Sequence, residues 1–207
     1  MKRKLNTQDV PQEVEVNSEA VSTAPVQGEV PRSEKAAAPA SPRTETPQFQ
    51  SLNLDARLLQ AIAKQSWSSP TRVQLKTIPL ALEGRDLLVR SETGSGKTAA
   101  HALPVLQHVL NRKASGASQR GTSVLILVPT RELANQTQTM IESLAAFCQG
   151  ITCGNLTRNE AESVQRARLA NLPDIVVATP GRACANITSG AFSLEHIAQL
   201  VIDEADL

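Results

Sequence analysis

The chain has 207 residues, enough for one sizeable hydrophobic core, and its 21 basic and 20 acidic side chains leave a net charge of +1. Near-neutrality excludes a strongly basic wrap around nucleic acid but leaves local phosphate contacts open, and no apolar run approaches the roughly eighteen residues of a membrane-crossing helix. Three cysteines and four aromatics without a tyrosine fit neither a disulfide framework, nor a metal cluster, nor a recognition sheet of stacking rings.

Residues 1–48 hold six of the twelve prolines and no aromatic. So little apolar surface cannot offset the entropy of ordering, and a disordered tail is expected. Its Lys2, Arg3 and Lys4 lead into polar sequence, which is no signal peptide; they read as a solvated terminus or part of a targeting patch. From Phe49 the pattern is globular. Asn53 can cap a helix with Leu54, Leu58 and Ile62 on one face, and residues 66–70 break it. A helix is predicted over 72–83, bent or divided at Pro79. A buried strand over 87–89, a glycine turn over 93–96 and a helix over 97–111 follow, with Pro104 weakening the helix.

The alternation continues with a strand over 124–128, a helix over 132–147, a short strand over 151–153 and a helix over 160–170. A strand over 175–178, a short helix from 183 and a strand over 200–202 complete it. Continuous apolar strands between amphipathic helices predict an α/β fold, its mainly parallel sheet covered by helices.

The stretch Thr93-Gly94-Ser95-Gly96-Lys97-Thr98 lies between a predicted strand and a predicted helix. Backbone amides of such a turn surround phosphates, a lysine at position 97 reaches the terminal phosphates, and the Thr98 hydroxyl binds Mg2+. At average composition this hexapeptide pattern arises by chance in roughly one chain of this size in several thousand. Ser91 stands where the strict pattern has glycine. Asp203-Glu204-Ala205-Asp206 follows the last apolar run, at the strand end where ligands collect in parallel sheets. There Asp203 can hold magnesium and Glu204 can polarise an attacking water.

Five motifs in order over residues 49–207 resemble the first RecA-like domain of a DEAD-box ATP-dependent RNA helicase. The resemblance implies a P-loop domain with ATP and Mg2+ as cofactors. Gln74, in the setting Pro70-Thr71-Arg72-Val73-Gln74 with Phe49 upstream, is assigned to the adenine edge, for which its amide has a donor and an acceptor. Trp67 either packs on the base or fills the local core. The loop residues Thr93 to Thr98 take the phosphates, and Lys97, Asp203 and Glu204 are the catalytic set. Thr130 and Arg131, with Thr179 and Arg182, are assigned to the sugar-phosphate backbone of RNA, although Arg131 also fits a structural ion pair. Cys153-Gly154-Asn155-Leu156-Thr157 stands where the family has a Gly-Gly pair, so Asn155 or Thr157 is a candidate substitute. Together with Leu54, Asp55, Arg57, Leu58 and Leu59 and with Leu172-Pro173-Asp174-Ile175, this segment resembles the nucleolar Dbp9-like subgroup. That likeness implies a nuclear, nucleolar protein acting on pre-ribosomal particles, monomeric and without a membrane partner.

The chain ends before the motif and the second RecA-like domain that such enzymes need to close around ATP, so the 207 residues alone are expected to lack RNA-stimulated hydrolysis. The strand expected between those carrying Lys97 and Asp203 is absent too, which predicts a gap in the sheet and an unstable isolated chain. The alternative is a truncated, non-catalytic module that binds RNA or protein. Another class of P-loop NTPase is disfavoured by Gln74 and by residues 203–206.

Overall fold

A computed structural model describes residues 11–15, 47–116, 121–157 and 162–206. Helices α1 (Ala56–Lys64), α2 (Arg72–Leu82), α3 (Lys97–Ala114), α4 (Arg131–Leu144), α5 (Glu162–Ala170) and α6 (Pro180–Thr188) alternate with strands β2 (Leu87–Arg90), β3 (Val124–Leu127), β4 (Cys153–Asn155), β5 (Ile175–Ala178) and β6 (Gln199–Ile202). Four strands form one sheet in the order β4-β5-β3-β6, and every pairing is parallel.

The central strands explain why the sheet needs cover on both sides. Along β3 and β5, Val124, Ile126, Ile175 and Val177 enter the main core with Leu58 and Ile62 of α1, Leu103 and Leu106 of α3, and Ile141 and Leu144 of α4. The alternate residues Leu125, Val176 and Ala178 enter a second cluster with Leu156, Leu169, Ala183 and Phe192. Period-two alternation between two apolar layers produces the unbroken hydrophobic runs seen in the sequence. Burying each such aliphatic side chain contributes about 1.5–3 kcal/mol.

The elements stand close to their sequence positions, with four differences. The cap of α1 is Asp55, whose carboxylate accepts from the Arg57 backbone N–H at 2.9 Å and is forked by the guanidinium of the same residue. Asn53 instead ends a 3-10 turn (Phe49–Leu52) at φ 54, a left-handed conformation that asparagine tolerates. Pro104 does not interrupt α3, which runs through to Ala114, and β4 begins two residues later than predicted.

The fourth difference is β1 (Gln12–Glu15), which the composition places in a disordered tail. It pairs in parallel with β2, Val14 opposite Val89, and Val14 is buried. Gln12 Oε1 accepts from Arg85 at 3.1 Å, and the Glu15 carbonyl accepts from Lys76 at 3.1 Å. An open strand edge is a template for any extended segment within reach, whatever its composition. The remainder of residues 1–46, Lys2 to Lys4 included, lies outside the described residues. Among those described, no strand links β2 to the four-stranded sheet.

Candidate nucleotide site and nucleic-acid interface

Because the four-stranded sheet is parallel, the ends of β3, β5 and β6 open on one edge, and the segments that follow them carry the candidate residues. After β2 the chain turns through Gly94 (φ 77) and Gly96 (φ 93) before Lys97 starts α3. The Lys97 ammonium donates to the carbonyls of Ser91 at 2.6 Å and Glu92 at 3.1 Å, and the Ser91 and Ser95 hydroxyls pair at 2.8 Å. Thr93 and Gly94 are exposed, while Ser95, Gly96, Lys97 and Thr98 are partly so.

Gln74 is brought directly to this loop. It is 4% exposed; its Oε1 accepts from Thr71 N at 3.0 Å and its Nε2 donates to the Gly96 carbonyl at 3.3 Å. A Cβ on residue 96 would lie 2.6 Å from Gln74 Nε2, so any side chain there would displace the end of Gln74, and φ 93 itself favours glycine. Phe49, assigned from the resemblance to cofactor binding, is a core residue instead. It is buried, and its ring centroid lies 6.3 Å from that of Trp67. The half-exposed member of that pair is Trp67.

Asp203 continues the ladder past β6, its N–H donating to Leu127 O at 2.9 Å. Its Oδ1 accepts from Glu204 N at 3.1 Å, and Glu204 sits at φ 50, a left-handed angle uncommon for a non-glycine residue. The His101 imidazole, first of all, holds the Asp203 carboxyl below its ordinary range. The Glu204 N–H and the Lys97 charge add to this, against the opposing effect of burial. An ionised Asp203 and the Thr98 hydroxyl are hard oxygen donors. No group of three or more His, Cys, Asp and Glu forms a metal cage among the described residues. A few protein oxygens completed by phosphates and water are the donor set magnesium takes, so these residues fit it.

The RNA candidates stand on the neighbouring strand ends. Thr130 caps α4, its hydroxyl accepting from Leu133 N at 3.2 Å, and Arg131 beside it is exposed. Thr179 caps α6 through its backbone alone, with Pro180 in the first turn. Arg182 Nε lies 3.5 Å from Leu156 O. As β3 and β5 are paired, the two helix N-termini open side by side. Asn155 and Thr157 do not join them. Asn155 is 1% exposed; its amide donates to Asn135 Oδ1, and its Oδ1 accepts from the Thr157 N–H and hydroxyl. Both side chains are therefore closed inside the protein and unavailable to RNA. Gly154 faces inward too, where a Cβ would lie 3.1 Å from Pro173 Cγ.

The sequence reading passes over His101. It lies four residues after Lys97, hence on the same helical face, and that spacing was the available signal.

Residues 71–207 match the family described as DEAD/DEAH box helicase. The chain is 50% identical over 208 aligned positions to ATP-dependent RNA helicase dbp9 of Emericella nidulans, covering 100% of this chain and 31% of that protein. It is 56% identical over 160 positions to dbp9 of Aspergillus terreus, covering 77% of this chain and 26% of that one. It thus spans about a third or less of the length of these curated relatives. Among solved structures, the ADP-bound RNA helicase Prp28 of Chaetomium thermophilum aligns with a TM-score of 0.68 at 33% identity, over 77% of this chain and 38% of that one. A DEAD box protein of Methanococcus jannaschii aligns at 0.69 and 35% identity, over 77% and 42%.

Proposed function

Since the chain belongs to the DEAD/DEAH box helicase family, we propose that it is the ATP-binding part of an ATP-dependent RNA helicase. The observation that carries this reading is the convergence of Lys97, the buried Gln74 and Asp203-Glu204 with the helix N-termini at Thr130 and Thr179. The loop amides and Lys97 bind the phosphates, and Gln74 supports the loop from the adenine side. Thr98 and Asp203 hold Mg2+, which when bound neutralises phosphate charge. Glu204 takes the proton of the attacking water. Thr130, Arg131, Thr179 and Arg182 hold one RNA strand by its backbone, which favours action on many sequences.

In the full-length protein, RNA-stimulated ATP hydrolysis is the expected activity, and Glu204→Gln should lower its rate about 10²–10⁴-fold. Turnover unaffected by that change, or by Lys97→Ala, would refute the assignment. Residues 1–207 alone are expected to show no such turnover. The likeness to dbp9 proteins supports a narrower reading, in which the protein acts as a monomer on pre-ribosomal particles of the large subunit in the nucleolus. Depletion should then let large-subunit rRNA precursors accumulate, and normal precursor levels would count against it.

A further inference from the structure

His101 sits where α3 passes the end of β6. Its side chain is 16% exposed, and Nε2 lies 3.7 Å from Oδ2 of Asp203, itself 13% exposed. Neither ring nitrogen has a hydrogen-bond partner among the described residues. Leaving a buried polar group unpaired costs about 1–3 kcal/mol, and the neighbouring α3 positions are filled by Ala99, Ala100, Ala102 and Leu103. An apolar residue would satisfy packing at position 101 without that cost. The carboxylate it faces is asymmetric: Oδ1 is fixed by the Glu204 N–H at 3.1 Å, whereas Oδ2 is turned to the imidazole.

Resting on the nucleotide reading above, we propose that His101 is a positioning residue for the magnesium end of the site, orienting the Asp203 carboxylate through Oδ2. Closing 3.7 Å to N–H···O range needs a side-chain adjustment of about 0.5–0.8 Å. With both oxygens then held, Asp203 is fixed before the ion arrives. Loss of such an outer partner typically weakens metal binding 10–100-fold. Because His101 and Lys97 share one helical face, the same helix that begins at the phosphate loop also sets the orientation of the strand-end acid.

The test uses the full-length protein and a fluorescent ADP analogue, titrated with Mg2+ and separately in EDTA. His101→Phe should raise the Mg2+ concentration at half-saturation 10–100-fold, with metal-free affinity within about twofold of wild type, a change too small to reflect a lost contact. His101→Gln, which keeps a donor, should restore most of the Mg2+ response. Should phenylalanine not be accommodated, His101→Ala makes the same comparison. An unchanged Mg2+ midpoint in the apolar variant overturns the proposal, as does an equal loss with and without Mg2+, which marks a packing role. Wild-type protein that binds no nucleotide at all overturns the nucleotide reading and this one with it.

Discussion

Strands β3 and β5 and strands β2 and β6 are built from similar apolar sequence, yet they live in different surroundings. On β3 and β5 both faces are covered, and seven of the eight side chains are buried. On β2 and β6, exposed residues alternate with partly buried ones, and Leu88, Leu200 and Ile202 are 50%, 56% and 57% exposed. The two halves also carry different chemistry. Thr130 and Thr179 follow the covered pair, whereas Lys97 and Asp203 follow the open pair. An unbroken apolar run therefore records a demand for cover on both faces, and within these residues only β3 and β5 meet it.

The largest expected effect tests this contrast directly. With the 207-residue chain, expected to be unstable alone, held folded by a stabilising osmolyte, Ile126→Ala should lower unfolding free energy by about 2–5 kcal/mol, while Ile202→Ala should stay within about 0.5 kcal/mol. Urea unfolding of both variants measures the difference, and equal losses would erase the distinction. Next in size is Asn155→Ala, which strips the Thr157 N–H of its acceptor inside the covered half. About 1–3 kcal/mol is expected, with RNA affinity unchanged once the protein is folded. Weakened RNA binding without lost stability would return Asn155 to the interface.

The smallest concerns the rim of the covered half. Arg57 hydrogen bonds lower the Asp55 carboxyl from an ordinary 3.8 to about 2. A depressed folded-state pKa means that its contribution is complete above about pH 4 and is lost as pH falls towards 2. Asp55→Ala should cost about 1 kcal/mol at pH 7, mostly the lost cap, because the exposed ion pair adds little. The gap between variant and wild type should narrow between pH 4 and 2. A constant gap in acid titrations would remove the charge from the account.

What the sequence made legible were features decided locally. The apolar runs mark β2, β3, β5 and β6, and the spacing around Gly94, Gly96 and Lys97 marks the loop, because those signals lie within a dozen residues. Asn53 and Asp55 are both capping types, and choosing between them needed Arg57 to arrive at the carboxylate. The pairing of β1 was illegible from composition, since it depends on an edge supplied more than seventy residues away. Phe49 was assigned to the cofactor by resemblance alone, which says nothing of Trp67 and the core around it. His101 acquires meaning only when β6 brings Asp203 beside α3, a juxtaposition no local window contains.

The meeting of Gly96 with Gln74 has a consequence for descent. With Gln74 Nε2 2.6 Å from where a Cβ would stand on residue 96, any side chain there obliges the flexible end of Gln74 to move and give up its bond to the Gly96 carbonyl. The harder barrier is φ 93 at that position, which most side chains do not adopt whatever stands at 74. The dependence runs one way: a shorter residue at 74 leaves Gly96 undisturbed, whereas a side chain at 96 reaches across twenty-two residues to displace Gln74.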